Sequence, residues 1–123
     1  MSRLLYVPGV PENANARTGW VGAMRNRSRF RELTAKLARE EHEATPYPPK
    51  PFTLVTVRQT SNVRRKRDPG GVAEKVKPLL DGLVDAGWLP DDDEDHIELR
   101  IGRTVIDKSR APGMLVELEE STQ

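Results

Sequence analysis

The chain has 123 residues, 32% of them charged and 36% hydrophobic, and contains no cysteine. That length suits one domain with a modest core, spanning the whole chain, and the missing cysteines exclude disulfides and thiolate metal sites. No apolar run approaches the ~18 residues of a membrane span, and the first residues lack the apolar stretch of a secretory signal; a cytoplasmic protein without membrane contact is expected.

The net charge of +1 hides an asymmetry. Residues 1–67 carry 14 Lys+Arg against 5 Asp+Glu, and residues 68–123 carry 6 against 14. Such segregation serves either attraction between the two halves of the fold or a basic surface for a polyanion.

In chain order, residues 3–11 (RLLYVPGVP) read as a short strand closed by Pro8 and Gly9. A loop rich in Asn and Gly follows. Residues 25–44 then place Phe30, Leu33, Leu37 and Ala44 at helical spacing, which predicts an amphipathic helix of about five turns. The proline cluster of residues 45–51 stops it. Residues 52–59 (FTLVTVRQ) predict a strand, and a basic loop covers 59–69. A second helix is predicted from Gly70 or Gly71 to about Ala86 on the stripe Val72, Val76, Leu79, Leu80 and Leu83. Pro78 should kink it or delay its start, and Gly87 should end it. Residues 96–106 (HIELRIGRTVI) predict a strand, residues 107–113 a hairpin-like turn, and residues 113–120 the last strand. The order β-α-β-α-β-β argues for an α+β fold: a small mixed sheet of about four strands with two helices on one face.

Two stretches carry chemistry. Arg64, Arg65, Lys66 and Arg67 run into Asp68 and a Pro-Gly-Gly turn, and residues 91–95 are five consecutive carboxylates. The acidic run is either a solvated loop or a set of oxygen ligands, since adjacent carboxylates raise one another's pKa values unless a cation lies near. An EF-hand is excluded because His96 stands where glycine is required and Gly102 where the bidentate Glu belongs. Two histidines do not make a zinc triad, and neither a G-x-S-x-G elbow nor a G-K-[ST] phosphate loop occurs. Trp20 and Trp88 suit base stacking or core anchoring. A basic loop beside hard oxygen ligands is the equipment of metal-assisted phosphodiester hydrolysis with Mg2+ or Mn2+.

Residues 64–95 resemble the RusA-type Holliday-junction resolvases, with weaker similarity over residues 4–119. The family pattern is a basic run, R-D-x-D-N, a helical lysine, D-[AG]-L, A-G-[FW] and a paired-Asp loop. Here Arg67-Asp68, Lys77, Asp81-Gly82-Leu83, Ala86-Gly87-Trp88 and Asp91-Asp92 occupy those places, and the Asn-containing segment with Asn15 and Arg17 resembles the family's first loop. The resemblance implies a homodimeric Mg2+-dependent endonuclease that nicks four-way DNA junctions. It further implies Asp68, Asp91 and Asp92 as metal ligands, Lys77 as the phosphate-facing catalytic cation, and Arg64, Arg65, Lys66, Arg67, Asn15 and Arg17 as DNA contacts, with Arg25 and Arg27 as further phosphate contacts.

One departure stands out. Gly70 and Gly71 replace the second Asp and the Asn of the motif. In a helix starting at Gly70, Glu74 and Lys77 share a face, so Glu74 is a candidate for the missing carboxylate. The alternatives are a catalytically degenerate relative that binds branched DNA or a protein partner without cutting, and a protein-interaction module using its acidic loop.

Overall fold

The computed structural model describes residues 2–11, 19–46, 50–63 and 69–120, excluding the side chains of residues 19, 20, 23, 69 and 70. The elements are β1 (Ser2–Pro8), α1 (Gly19–Ala44), β2 (Thr53–Ser61), α2 (Pro69–Ala73), α3 (Lys77–Asp85), β3 (Ile97–Ile101), β4 (Val105–Ile106) and β5 (Gly113–Glu120). The fold is α+β, as predicted, with five strands rather than about four. No described helix is long and apolar enough to cross a membrane.

Strand order is β1-β5-β2-β3, with β4 continuing beyond β3 along the same edge of β2. Alternation along each strand puts one set of side chains under the helices. Leu5 and Val7 of β1, Val55 and Val57 of β2, and Met114, Val116 and Leu118 of β5 are all buried there, in one cluster with Phe30, Ala38, Leu79 and Leu83 from the helices. The register agrees, because Val55 faces Leu118 and Val57 faces Val116 across the β2–β5 ladder.

Three sequence expectations need correction. Residues 107–113 do not close a hairpin: β5 pairs with β1 and β2, and β3 and β4 pair only with β2, in parallel. The helical crossover between β2 and β3 makes them parallel, since parallel neighbours require such a connection. β5 then passes β2 to its other side, where it pairs with β1 and β2 while Met114, Val116 and Leu118 face the core. Residues 96–106 form two short strands rather than one, interrupted at 102–104. Finally, α1 is longer than five turns, with 26 residues, and its buried side runs through Phe30, Thr34 and Ala38, while Ala44 is exposed.

The predicted second helix is split. α2 ends at Ala73, residues 74–76 turn, and α3 begins at Lys77 with Pro78 in its first turn. Proline has no N–H to offer the carbonyl four residues back, that of Glu74. Arg27 of α1 takes over that role, its Nη1 donating to the Glu74 carbonyl oxygen at 3.1 Å. At the other end, Gly87 has φ +80°, with Trp88 N–H donating to Leu83 O and Gly87 N–H to Val84 O, both at 3.0 Å. This is a Schellman closure, for which glycine is the favoured residue. It delivers Trp88 and Leu89 into the core, where the Trp88 indole N–H donates to the Ala38 carbonyl at 3.0 Å.

α1 and α3 touch closely at Gly82, where a Cβ would lie 2.6 Å from Thr34 Cβ and 2.7 Å from the Arg31 carbonyl oxygen. Helix propensity alone favours Gly82→Ala by about 1 kcal/mol. Overpacking costs roughly 1–3 kcal/mol and should outweigh it. Urea denaturation of Gly82→Ala is therefore expected to show net destabilisation, and a stabilised variant would contradict the close approach.

Candidate functional site

The site assembles where the first turn of α3 meets the acidic loop and the flank of α1. Lys77 stands at the start of α3, and Asp81 lies one helical turn later, so the two share a face. Lys77 Nζ is 3.1 Å from Asp81 Oδ1. After the Gly87 closure the chain doubles back along α3 and brings Asp92 Oδ2 to 2.5 Å from the same nitrogen. Two carboxylates from separate segments thus converge on one positive atom. Their side chains are 25% and 18% exposed, against 60% for Lys77, so the carboxylates are the fixed side of the contact. Asp91 supports the arrangement by accepting the Asp92 backbone N–H on Oδ1 at 2.7 Å.

The electrostatics follow from these contacts. The hydrogen bond from Lys77 holds the Asp92 carboxyl below the ordinary carboxylate range, and bonding to Asp92 and then Asp81 raises Lys77. Next to this pair, Arg27, Ser28, Arg31, Lys77, Pro78 and Asp81 line a cleft of about 120 Å³ between α1 and α3. Three of its six lining residues are cations, and α1 supplies two of them from positions one turn apart. Arg31 is anchored by a bidentate pair with Asp85, Nε to Oδ2 at 2.7 Å and Nη2 to Oδ1 at 2.9 Å.

Asp81 and Asp92 each place an oxygen on one point, and Lys77 Nζ occupies it. Oxygen-only ligation with few protein carboxylates is what Mg2+ and Mn2+ accept. A second group, Asp91, Asp93 and His96, has one ligand atom from each residue within 4.8 Å of the others. It has a structural explanation. Asp93 Oδ1 accepts the Asp95 backbone N–H at 3.1 Å and lies 2.6 Å from His96 Nδ1, and the Asp93 carbonyl accepts the N–H groups of His96 and Ile97. The acidic loop therefore organises itself through local capping of the turn that launches β3. His96 is raised by its bond to Asp93.

The structure joins four of the sequence-derived residues, Arg27, Lys77, Asp91 and Asp92. Glu74 is not among them. The turn at 74–76 breaks the helix that was to align Glu74 with Lys77, so the shared face does not exist; Glu74 is exposed and engages Arg27 through its backbone carbonyl. Asp68, Arg64, Arg65, Lys66, Arg67, Asn15 and Arg17 lie outside the described residues, as does the side chain of Trp20. Trp88 is a core anchor rather than a stacking platform, and His42 is half-buried. Sequence reasoning placed Asp81 in a motif without giving it a role. Its i,i+4 spacing from Lys77 was the available signal. Ser28 and Arg31 had none, because their place in the cleft depends on how α1 crosses α3.

No protein-family model matches the chain, and no curated protein matches it.

The Arg31–Asp85 pair makes a pH test possible. Asp85 is held below the ordinary carboxylate value, first by the Arg31 hydrogen bond. Its contribution to stability is fully present above the unfolded value of about 4 and is lost as pH falls through the lower folded value. Asp85→Asn should therefore be less stable than the native chain at pH 6, with the difference closing toward pH 2–3. The effect should be small, because both partners are partly solvated. Denaturant midpoints at the two pH values check it; a difference that persists unchanged at low pH would contradict the assignment.

Proposed function

We propose that the protein is a metal-dependent endodeoxyribonuclease acting on four-way junctions or other branched DNA, as a homodimer facing a two-fold substrate. The observation that carries this reading is the convergence of Asp81 and Asp92 on Lys77 beside a cleft lined by Arg27 and Arg31. The resemblance of residues 64–95 to RusA-type resolvases supports it. Phosphodiester hydrolysis needs carboxylates for a hard cation, a point charge for the phosphate, and cations that hold the backbone without reading sequence. Each has a counterpart here.

In this reading Asp92 and Asp81 hold the divalent cation, with Asp91 and Asp68 assisting. A bound Mg2+ or Mn2+ supplies Lewis acidity toward the scissile phosphate and lowers the pKa of a ligand water. Lys77 offsets negative charge on the phosphoryl oxygens, as a compact ammonium on a flexible stem does. Arg27, with Ser28 next to it, orients the phosphate from the α1 side. Arg31, fixed by Asp85, adds positive field without having to move. The basic run Arg64–Arg67 extends the contact along the DNA backbone and makes binding salt-dependent. Asp81 takes the place first considered for Glu74, as the carboxylate that offsets Gly70.

Gly70 and Gly71 motivate a second reading, in which the protein binds branched DNA without cutting it. Cleavage of a labelled four-way junction in Mg2+ and in Mn2+ separates the two. The expected result is paired nicking that falls at least a hundredfold in Asp92→Asn and in Asp68→Asn, with junction binding retained. Tight binding with no nicks in either metal favours the second reading. Restoring the motif with Gly70→Asp and Gly71→Asn should then raise cleavage if the missing carboxylate is the cause.

A further inference from the structure

The contact between Lys77 and Asp92 presents a conflict. Asp92 Oδ2 is assigned to a divalent cation and Lys77 Nζ to a phosphate, yet each occupies the other at 2.5 Å. Neither group performs its assigned role while the pair is closed. The two are unequally free to move. Asp92 is 18% exposed, and its own backbone N–H is tied to Asp91. Lys77 is 60% exposed, stands in the first turn of α3, and already lines the Arg27–Ser28–Arg31 cleft. Its four-carbon stem allows Nζ to turn from the carboxylates toward that cleft without moving the backbone.

We propose that the Lys77–Asp92 pair is a latch that couples metal binding to phosphate binding. This rests on the function proposed above and concerns regulation of the same site. With no DNA present, Lys77 neutralises Asp92 and Asp81 and keeps them from a divalent cation. A backbone phosphate entering the cleft offers Lys77 a competing anion. The lysine swings to it, and the carboxylate oxygens become available to the metal. Thermodynamic reciprocity requires the converse, that a bound divalent cation expels Lys77 and strengthens phosphate binding by the same factor. The metal site is thus completed only on the substrate, which limits stray hydrolysis.

The test is metal binding rather than turnover. Ca2+, a hard cation with the same preference for oxygen, is titrated calorimetrically into the full-length chain with and without a saturating four-way junction. The native chain, Lys77→Met and Lys75→Met are compared; Lys75→Met removes the same charge from the turn before α3. In the native chain the junction should raise Ca2+ affinity about tenfold or more, within the usual 5–150-fold range of coupling. Lys77→Met should bind Ca2+ about tenfold more tightly than the native chain in the absence of DNA, and the junction should then add little. Lys75→Met should keep the native coupling.

Equal Ca2+ affinity with and without the junction in the native chain overturns the latch. So does coupling that survives in Lys77→Met, because the field of the DNA would then suffice, and so does Lys75→Met behaving like Lys77→Met. Those outcomes leave the metal site itself standing. Absence of divalent binding in every protein, or of junction binding, overturns the proposed function together with the latch.

Discussion

At Gly82 the backbone of α1 stands so near α3 that a single methyl group would lie 2.7 Å from the Arg31 carbonyl oxygen. Helices approach this closely only where a side chain is absent. The contact fixes the rotation of α1 about its axis relative to α3. It brings Arg27 within reach of the Glu74 carbonyl, Arg31 onto Asp85, and Ser28 to the edge of the cleft. Thr34, the residue opposite Gly82, is itself buried and donates its hydroxyl to the Phe30 carbonyl at 2.8 Å, so it leaves no unsatisfied polar atom at the crossing.

The charge asymmetry of the chain acquires a meaning from this packing. Basic α1 lies along acidic α3, and Arg31 and Arg39 both reach Asp85, the former through its side chain and the latter through its carbonyl oxygen at 3.2 Å. Part of the segregation is therefore attraction within the fold. Exposed pairs of this kind contribute little to stability, commonly well under 1 kcal/mol. Their effect is on position: the Asp85 pair holds the Arg31 guanidinium at the lip of the cleft. The buried core of β1, β2 and β5 with the helices supplies the folding free energy instead, since apolar burial is the dominant favourable term.

Proline and glycine set the course of the chain through the site. Pro78 cannot accept a place deep in a helix, so α3 starts at Lys77 and presents it at an end rather than on a side. Gly87 ends α3 after 9 residues and returns the chain toward that same end. The acidic loop then passes Lys77 with Asp92 inward and Asp93 turned to its own backbone. Two adjacent carboxylates acquire different roles because one meets a lysine and the other caps a turn.

Single elements were legible from local rules. The helicity of α1, the alternation of β2, the interruption at Pro78 and the stop at Gly87 all follow from periodicity and from backbone rules that operate within a few residues. The pairing of Lys77 with Asp81 belongs here too, because i,i+4 geometry is intrinsic to a helix. Tertiary structure decided the rest. β3 joined β2 in parallel, and β5 entered between β1 and β2, because strand neighbours are chosen by which faces can be buried together, a comparison that no single segment contains. Asp92 met Lys77 across 15 residues because the Gly87 closure and the burial of Trp88 and Leu89 fix the path between them. Glu74 falls off the face predicted for it because residues 74–76 turn, and a turn in the backbone redirects every side chain that follows.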